Sequence, residues 1–310
     1  MLAGLMAICC PFVAAHAEDA PAALVRAQSL EHEGHSAEAI PLYLQVLHLD
    51  PQSAQAELGL GRCQYSLRDY SQAAASFKHA LELRPGDTEI LNWLGRSYLQ
   101  ESLPQKVLEL VSRQEPAARD SAAIHLLLAR AYDAQDKLDD SVREIQGALK
   151  LDPRLHGAHF AWGFIAWSTG DMTMAERQLR QELALDPHEG LAAFYLAAVL
   201  EKQGKLSEAE AALAQMGRDS PNTYLYHLGL GKIYEREKKY PPATEQYQEA
   251  IRLEPQQLEA HYRRAMVLRA RGETAKSNEE FQTFSRLQSQ SDDMASQGMG
   301  RMRPRIPDFN

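Results

Sequence analysis

Residues 183–187 read LALDP, and the phrase keeps returning: LHLDP at 47–51, LELRP at 81–85, LKLDP at 149–153 and IRLEP at 251–255. The prolines that close these phrases, together with Pro221, stand 34 residues apart or twice that. Self-similarity at such a period marks an array of stacked supersecondary units, each too small to bury its apolar face alone. With each proline at position 32, eight units follow: 20–53, 54–87, 88–121, 122–155, 156–189, 190–223, 224–257 and 258–291.

The columns of this register have a physical meaning. Position 8 is small (Gly61, Gly95, Ala129, Gly163, Ala197, Gly231, Ala265), and position 20 is alanine in five units (Ala39, Ala73, Ala175, Ala209, Ala243). Position 24 is bulky throughout, from Tyr43 and Phe77 to Tyr247 and Phe281, and position 7 is large in six units, Trp162 among them. Small residues let two helix backbones approach, and large ones fill the space beside them. A polar turn near position 15, with Gly34, Gly170, Gly204 and Gly272, ends a first helix, and the proline ends a second. The pattern predicts antiparallel helix pairs.

This length and these positions resemble the tetratricopeptide repeat (TPR) family, over residues 20–291. The resemblance implies an all-α fold, a right-handed superhelical solenoid of antiparallel helix pairs. It also implies that positions 2, 5, 9 and 12 of each first helix line a concave groove. Arg26 and Arg264 depart from the pattern at position 7 of the first and last units, where one face meets water. In repeat 3, Pro116 precedes Arg119 at position 32, so the second helix is expected to end early; Pro41 lies inside the second helix of repeat 1 and removes one backbone hydrogen bond there.

Outside the array, residues 1–17 (MLAGLMAICCPFVAAHA) carry no Asp, Glu, Lys or Arg and end in small-x-small. They read as a secretory signal peptide, with an uncleaved membrane anchor as the alternative. The protein is therefore expected to be exported, periplasmic or secreted, with the TPR domain at 18–291 and a disordered tail at 292–310, where Gly298, Gly300, Pro304 and Pro307 cluster. Beyond residue 17 only Cys63 remains, so no internal disulfide is available. Among 310 residues, 45% are apolar and 24% charged, with a formal net charge of −9 and a pI of about 5.7. An acidic chain without a continuous basic stripe argues against nucleic acid as partner.

Candidate binding residues follow from the groove positions that the resemblance implies. Arg62, Arg96 and Arg130 all occupy position 9 and are expected to form a basic ladder for an acidic or carboxylate-bearing partner. Pairing with local acids is the competing reading, and Arg62 and Arg96 have no acid three or four residues away. Phe160, Phe164 and Trp167 lie at i, i+4 and i+7 on one helix face, and Phe194 follows one repeat on. They form either an exposed aromatic patch that anchors a partner or tight packing between repeats.

The histidines at position 4 (His125, His159, His227, His261) step along the array and cannot converge on one ion. His156 with His159 could share a metal only with a third ligand, and no carboxylate stands at metal spacing in sequence. No phosphate loop, HExxH or CxxC follows residue 17. The expected function is a non-catalytic scaffold that binds a protein or peptide segment, in assembly of an envelope, secretion or pilus complex, with no cofactor or metal. The alternative is a non-catalytic subunit of an exported enzyme complex.

Overall fold

The computed structural model describes residues 19–219, 222–296 and 305–307. The expected signal peptide, residues 1–17, lies outside them. Among the described residues the chain is helical, with no strand, and no helix is long and apolar enough to cross a membrane. The fold is a solenoid of antiparallel helix pairs. Repeat 1 is α1 (Ala20–His32) and α2 (Ser36–Leu49), repeat 2 is α3 (Ala54–Ser66) and α4 (Tyr70–Leu83), and repeat 3 is α5 (Thr88–Gln100) and α6 (Pro104–Ser112), with the short α7 (Pro116–Arg119) after it. Repeat 4 is α8 (Ala122–Asp133) and α9 (Leu138–Leu151), and repeat 5 is α10 (Ala158–Thr169) and α11 (Met172–Leu185). Repeats 6 to 8 are α12 (Gly190–Lys202) with α13 (Leu206–Asp219), α14 (Tyr224–Arg236) with α15 (Tyr240–Leu253), and α16 (Leu258–Ala270) with α17 (Thr274–Ser296).

These helices fall into two compact units. The first holds the described residues up to Lys106 together with Arg113–Ala118; the second holds Val107–Ser112 and the described residues from Arg119 onward. The division falls at repeat 3, where the second helix is shortened as the sequence implies. α6 has 9 residues where α4 and α9 have 14, and Pro116 opens α7. Pro41 lies inside α2.

The columns of the repeat are the core. All eight residues at position 20 are buried, including Ser141 and Ser277, which replace alanine in repeats 4 and 8. Their hydroxyls would be costly to bury unbonded. Each donates to the position 8 carbonyl of its own repeat, Ser141 to Ala129 at 2.7 Å and Ser277 to Ala265 at 2.8 Å. At position 24, Tyr43, Phe77, Ile145, Leu179, Leu213 and Tyr247 have no exposure, while Phe281 in the last repeat is half-buried. The glycines at position 8 admit them. A Cβ on Gly61 would stand 2.5 Å from the Phe77 ring, and one on Gly231 would stand 2.5 Å from Tyr247.

The turns repeat more strictly than the sequence shows. Gly34, Gly170, Gly204 and Gly272 have φ between 78° and 92°, and Arg68, Ser102, Asp136 and Lys238 stand at the same position with φ near 60°. The close approach of the two helices demands a left-handed residue whatever its side chain. The segment expected to be disordered, 292–310, differs in its described residues. α17 runs on to Ser296, and Ile306 is buried.

A left-handed backbone costs an L-residue roughly 1–2 kcal/mol relative to glycine. Lys238, exposed at such a turn, should therefore raise stability by about 1 kcal/mol when changed to glycine, and Gly204→Ala should lower it by a similar amount. Urea denaturation followed by circular dichroism measures both signs. Gly231→Val should destabilise by about 3 kcal/mol, because it drives a branched side chain into the Tyr247 ring.

Candidate functional site

On the first-helix face of the first unit, Arg62 is already paired with two acids. Arg62 forks onto Glu31, with Nε 2.5 Å from Oε1 and Nη2 3.2 Å from Oε2, while Nη1 reaches Glu89 Oε1 at 3.0 Å. Tyr43 donates its hydroxyl to the same Glu31 carboxylate. Burial raises the Tyr43 pKa, and the Glu31 hydrogen bond and charge raise it further. Arg96 lies over aromatic rings, 4.5 Å from the centroid of Trp93 and 5.2 Å from that of Tyr65. The expectation of a basic ladder offered to an acidic partner is corrected at Arg62, which two glutamates already meet. Those acids stand 31 residues back and 27 residues on. A search along one helix misses them, yet a 34-residue stack makes such offsets adjacent. Arg130 lies in the second unit, half-buried on α8.

In the second unit the aromatic residues are brought together but not exposed. Phe160 and Phe164 have no exposure and Phe194 is 8% exposed. The expectation of an open aromatic patch is corrected by Tyr195, which the sequence reading did not single out. Its ring meets Phe160 at 5.8 Å, Phe164 at 5.1 Å, Trp167 at 4.8 Å and Phe194 at 5.3 Å, edge-on in each case. Such edge contacts suit the quadrupoles of the rings. Burial pushes the Tyr195 hydroxyl up to about 12. Trp167 differs from its neighbours. It is half-buried, Lys202 stands 5.7 Å from its ring, and among the described residues its buried indole N–H meets no acceptor. Trp162, expected in the core at position 7, is also only half-buried.

Models of the tetratricopeptide repeat match residues 24–88, 160–223 and 228–286, and a second such model matches 65–130. The chain belongs to the tetratricopeptide repeat family. Among solved structures it is similar to three TPR-like arrays. It is 17% identical to a chain of the APC/C hetero-tetramer Cut9-Hcn1, with a TM-score of 0.66, over 79% of this chain and 48% of that one. It is 13% identical to a tetratricopeptide repeat protein from Parabacteroides merdae ATCC 43184, with a TM-score of 0.60, over 80% and 98%. It is 15% identical to human IFIT1, solved as a dimer with PPP-AAAA, with a TM-score of 0.59, over 87% and 73%. The chain thus spans about half the length of the first. No curated protein matches it in sequence. At these identities the likeness is one of fold.

The position 4 histidines of this TPR array bond within their own repeats, always to position 23. His125 meets Glu144 at 2.6 Å, His159 meets Gln178 at 2.7 Å, His227 meets Gln246 at 2.8 Å and His261 meets Glu280 at 2.6 Å. His159 therefore does not join His156. Carboxylates absent from the local sequence do surround His156: Nδ1 is 3.3 Å from Glu182 and Nε2 is 3.7 Å from Glu189. Ligand atoms of His156, Asp186 and Glu189 lie within 4.8 Å of one another. These acids already serve the backbone. Glu182, fully buried, accepts from Gly157 N at 2.7 Å and Phe160 N at 3.0 Å. Asp186 accepts from His188 N and Glu189 from Leu191 N. Glu182 thus caps α10, the helix that carries Phe160, Phe164 and Trp167, in place of the side-chain cap that Gly157 cannot provide.

Cys63 is buried and hydrogen-bonding groups of repeat 1 surround it. Burial, then the nearby Glu31 charge, pushes its thiol up to about 11. The thiolate is the reactive form, so Cys63 should resist iodoacetamide at pH 8 in the folded chain and react fully in guanidinium. Peptide mass spectrometry reads that site directly; rapid labelling of the folded chain would contradict the packing of α2 against α3.

Proposed function

We infer that this TPR protein is a non-catalytic interaction scaffold that holds an extended segment of a protein partner along the first-helix face of repeats 4 to 6. The observation that carries the reading is Trp167. Its indole N–H is buried and without an acceptor among the described residues, on a helix face that the family uses for partners. An unmet buried donor is costly; once the side chains that cover it move aside for a bound segment, a backbone carbonyl of that segment supplies what it lacks. The Trp167 ring is held against Tyr195 and Phe164 at 4.8 and 5.7 Å, which limits its own freedom to rotate.

The partner is proposed to be protein or peptide. The net charge of −9 and the glutamate pairing of Arg62 disfavour nucleic acid, even though human IFIT1 was solved with PPP-AAAA. Export, with a role in an envelope, secretion or pilus assembly, is supported by the signal-like residues 1–17. A non-catalytic subunit of an exported enzyme complex would use the same surface.

The test is capture of partners from envelope extract with the full chain, with Trp167→Phe and with Arg62→Ala, after circular dichroism has shown that both variants fold. Trp167→Phe removes the donor and keeps an aromatic ring at the position, at the loss of the indole's second ring. The expected result is about a fivefold loss of bound partner, the worth of one hydrogen bond of roughly 1 kcal/mol, with Arg62→Ala retaining it. Equal capture by all three baits overturns the assignment to repeat 5.

A further inference from the structure

Position 12 of the first helices carries a carboxylate in repeats 1, 4, 6 and 7: Glu31, Asp133, Glu201 and Glu235. At two of these positions the partner includes a side chain that recurs with the repeat. Glu31 takes the Tyr43 hydroxyl and the Arg62 fork, Glu235 takes the Tyr247 hydroxyl at 2.5 Å, and Glu201 pairs with Arg236 at 2.8 Å. In repeats 1 and 7 the donor is a tyrosine at position 24. Repeat 4 has Ile145 there, which offers no hydroxyl. Yet Asp133 is 1% exposed, and a buried carboxylate needs donors.

One donor comes from far along the chain. The backbone N–H of Ile306 donates to Asp133 Oδ2 at 2.8 Å, across 173 residues. The Ile306 side chain is buried and joins the contiguous apolar cluster that includes Leu126, Phe160 and Phe164. Residues 305–307 form no helix. Pro307 biases Ile306 toward an extended backbone, so little conformational freedom is lost on docking.

We propose that the face of α8 around Asp133 is a binding site for an extended segment with a buried aliphatic residue, and that the chain's own Arg305-Ile306-Pro307 is its built-in occupant. A partner segment that uses this part of the face must displace it. The carboxylate selects a free backbone N–H, and the apolar cluster selects the aliphatic side chain. The proposal rests on the reading of the first-helix face as a segment-binding surface, but its test needs no partner.

Hydrogen exchange of the full chain, resolved to single residues, should show the Ile306 amide protected at least tenfold more than that of Met302. The protection should be lost in Asp133→Ala and in Ile306→Asp; the second variant lies on the tail and leaves the array intact. A fluorescein-labelled peptide of residues 301–310 should then bind the Ile306→Asp chain at least tenfold more tightly than the wild type, whose own segment competes. The same peptide with Ile306→Asp should not bind. Unprotected Ile306 in the wild type, or equal peptide affinity for both chains, overturns the proposal. Protection that vanishes on dilution overturns it in favour of a second copy as the occupant. Failure of these measurements leaves the Trp167 capture result standing, and the reverse also holds.

Discussion

Everything in this chain depends on one steric interlock, the small residue at position 8 against the large one at position 24. At Gly61, Gly163 and Gly231 the space a Cβ would take is filled. Leu179 would lie 2.8 Å from a Cβ on Gly163, and the rings of Phe77 and Tyr247 are closer still to Gly61 and Gly231. The backbones of each pair can then approach, and each buried ring or aliphatic chain contributes about 2–3 kcal/mol of apolar burial. The same approach sets the register of all other contacts between the two helices. Position 20 meets position 8, as Ser141 and Ser277 show with their bonds to carbonyls. Position 4 meets position 23, as four histidines show.

A rigid register turns polar groups into fixed neighbours, and the array then has to satisfy them. Glu31 and Glu235 are met by tyrosines twelve residues on within the same repeat. Glu182 reaches back from the end of α11 to cap α10, because Gly157 has no side chain to do so. Two groups on the first-helix face of the second unit bear on binding. Among the described residues Trp167 carries a buried N–H with no acceptor, and Asp133 takes a backbone donor from beyond the array. Both are the kind of backbone-directed contact by which an extended segment is held.

Much of the fold was legible because the period is long and repeated. The helix pairs within each unit, the shortened α6 and the proline inside α2 could all be read from prolines and small residues. The turns were only half legible. Gly34, Gly170, Gly204 and Gly272 announced a left-handed residue, whereas Arg68, Ser102, Asp136 and Lys238 adopt it without any compositional sign. The candidate site was less legible still. Phe160, Phe164 and Trp167 do share a helix face, but spacing along one helix cannot say whether the next repeat covers it. Tyr195 does so for the two phenylalanines.

By itself the sequence determined the repeat length, the helix pairing, the core columns and the family. All of these depend on residues within about one period of each other, and on backbone rules that hold for any neighbour. Tertiary structure alone decided which charged and aromatic side chains are already engaged. Arg62 finds its partners at offsets of 31 and 27 residues, and Asp133 finds Ile306 at 173. No local pattern encodes such pairs. They exist because stacking brings remote segments into hydrogen-bond range and because a buried charge must be met by whatever donor the stack delivers.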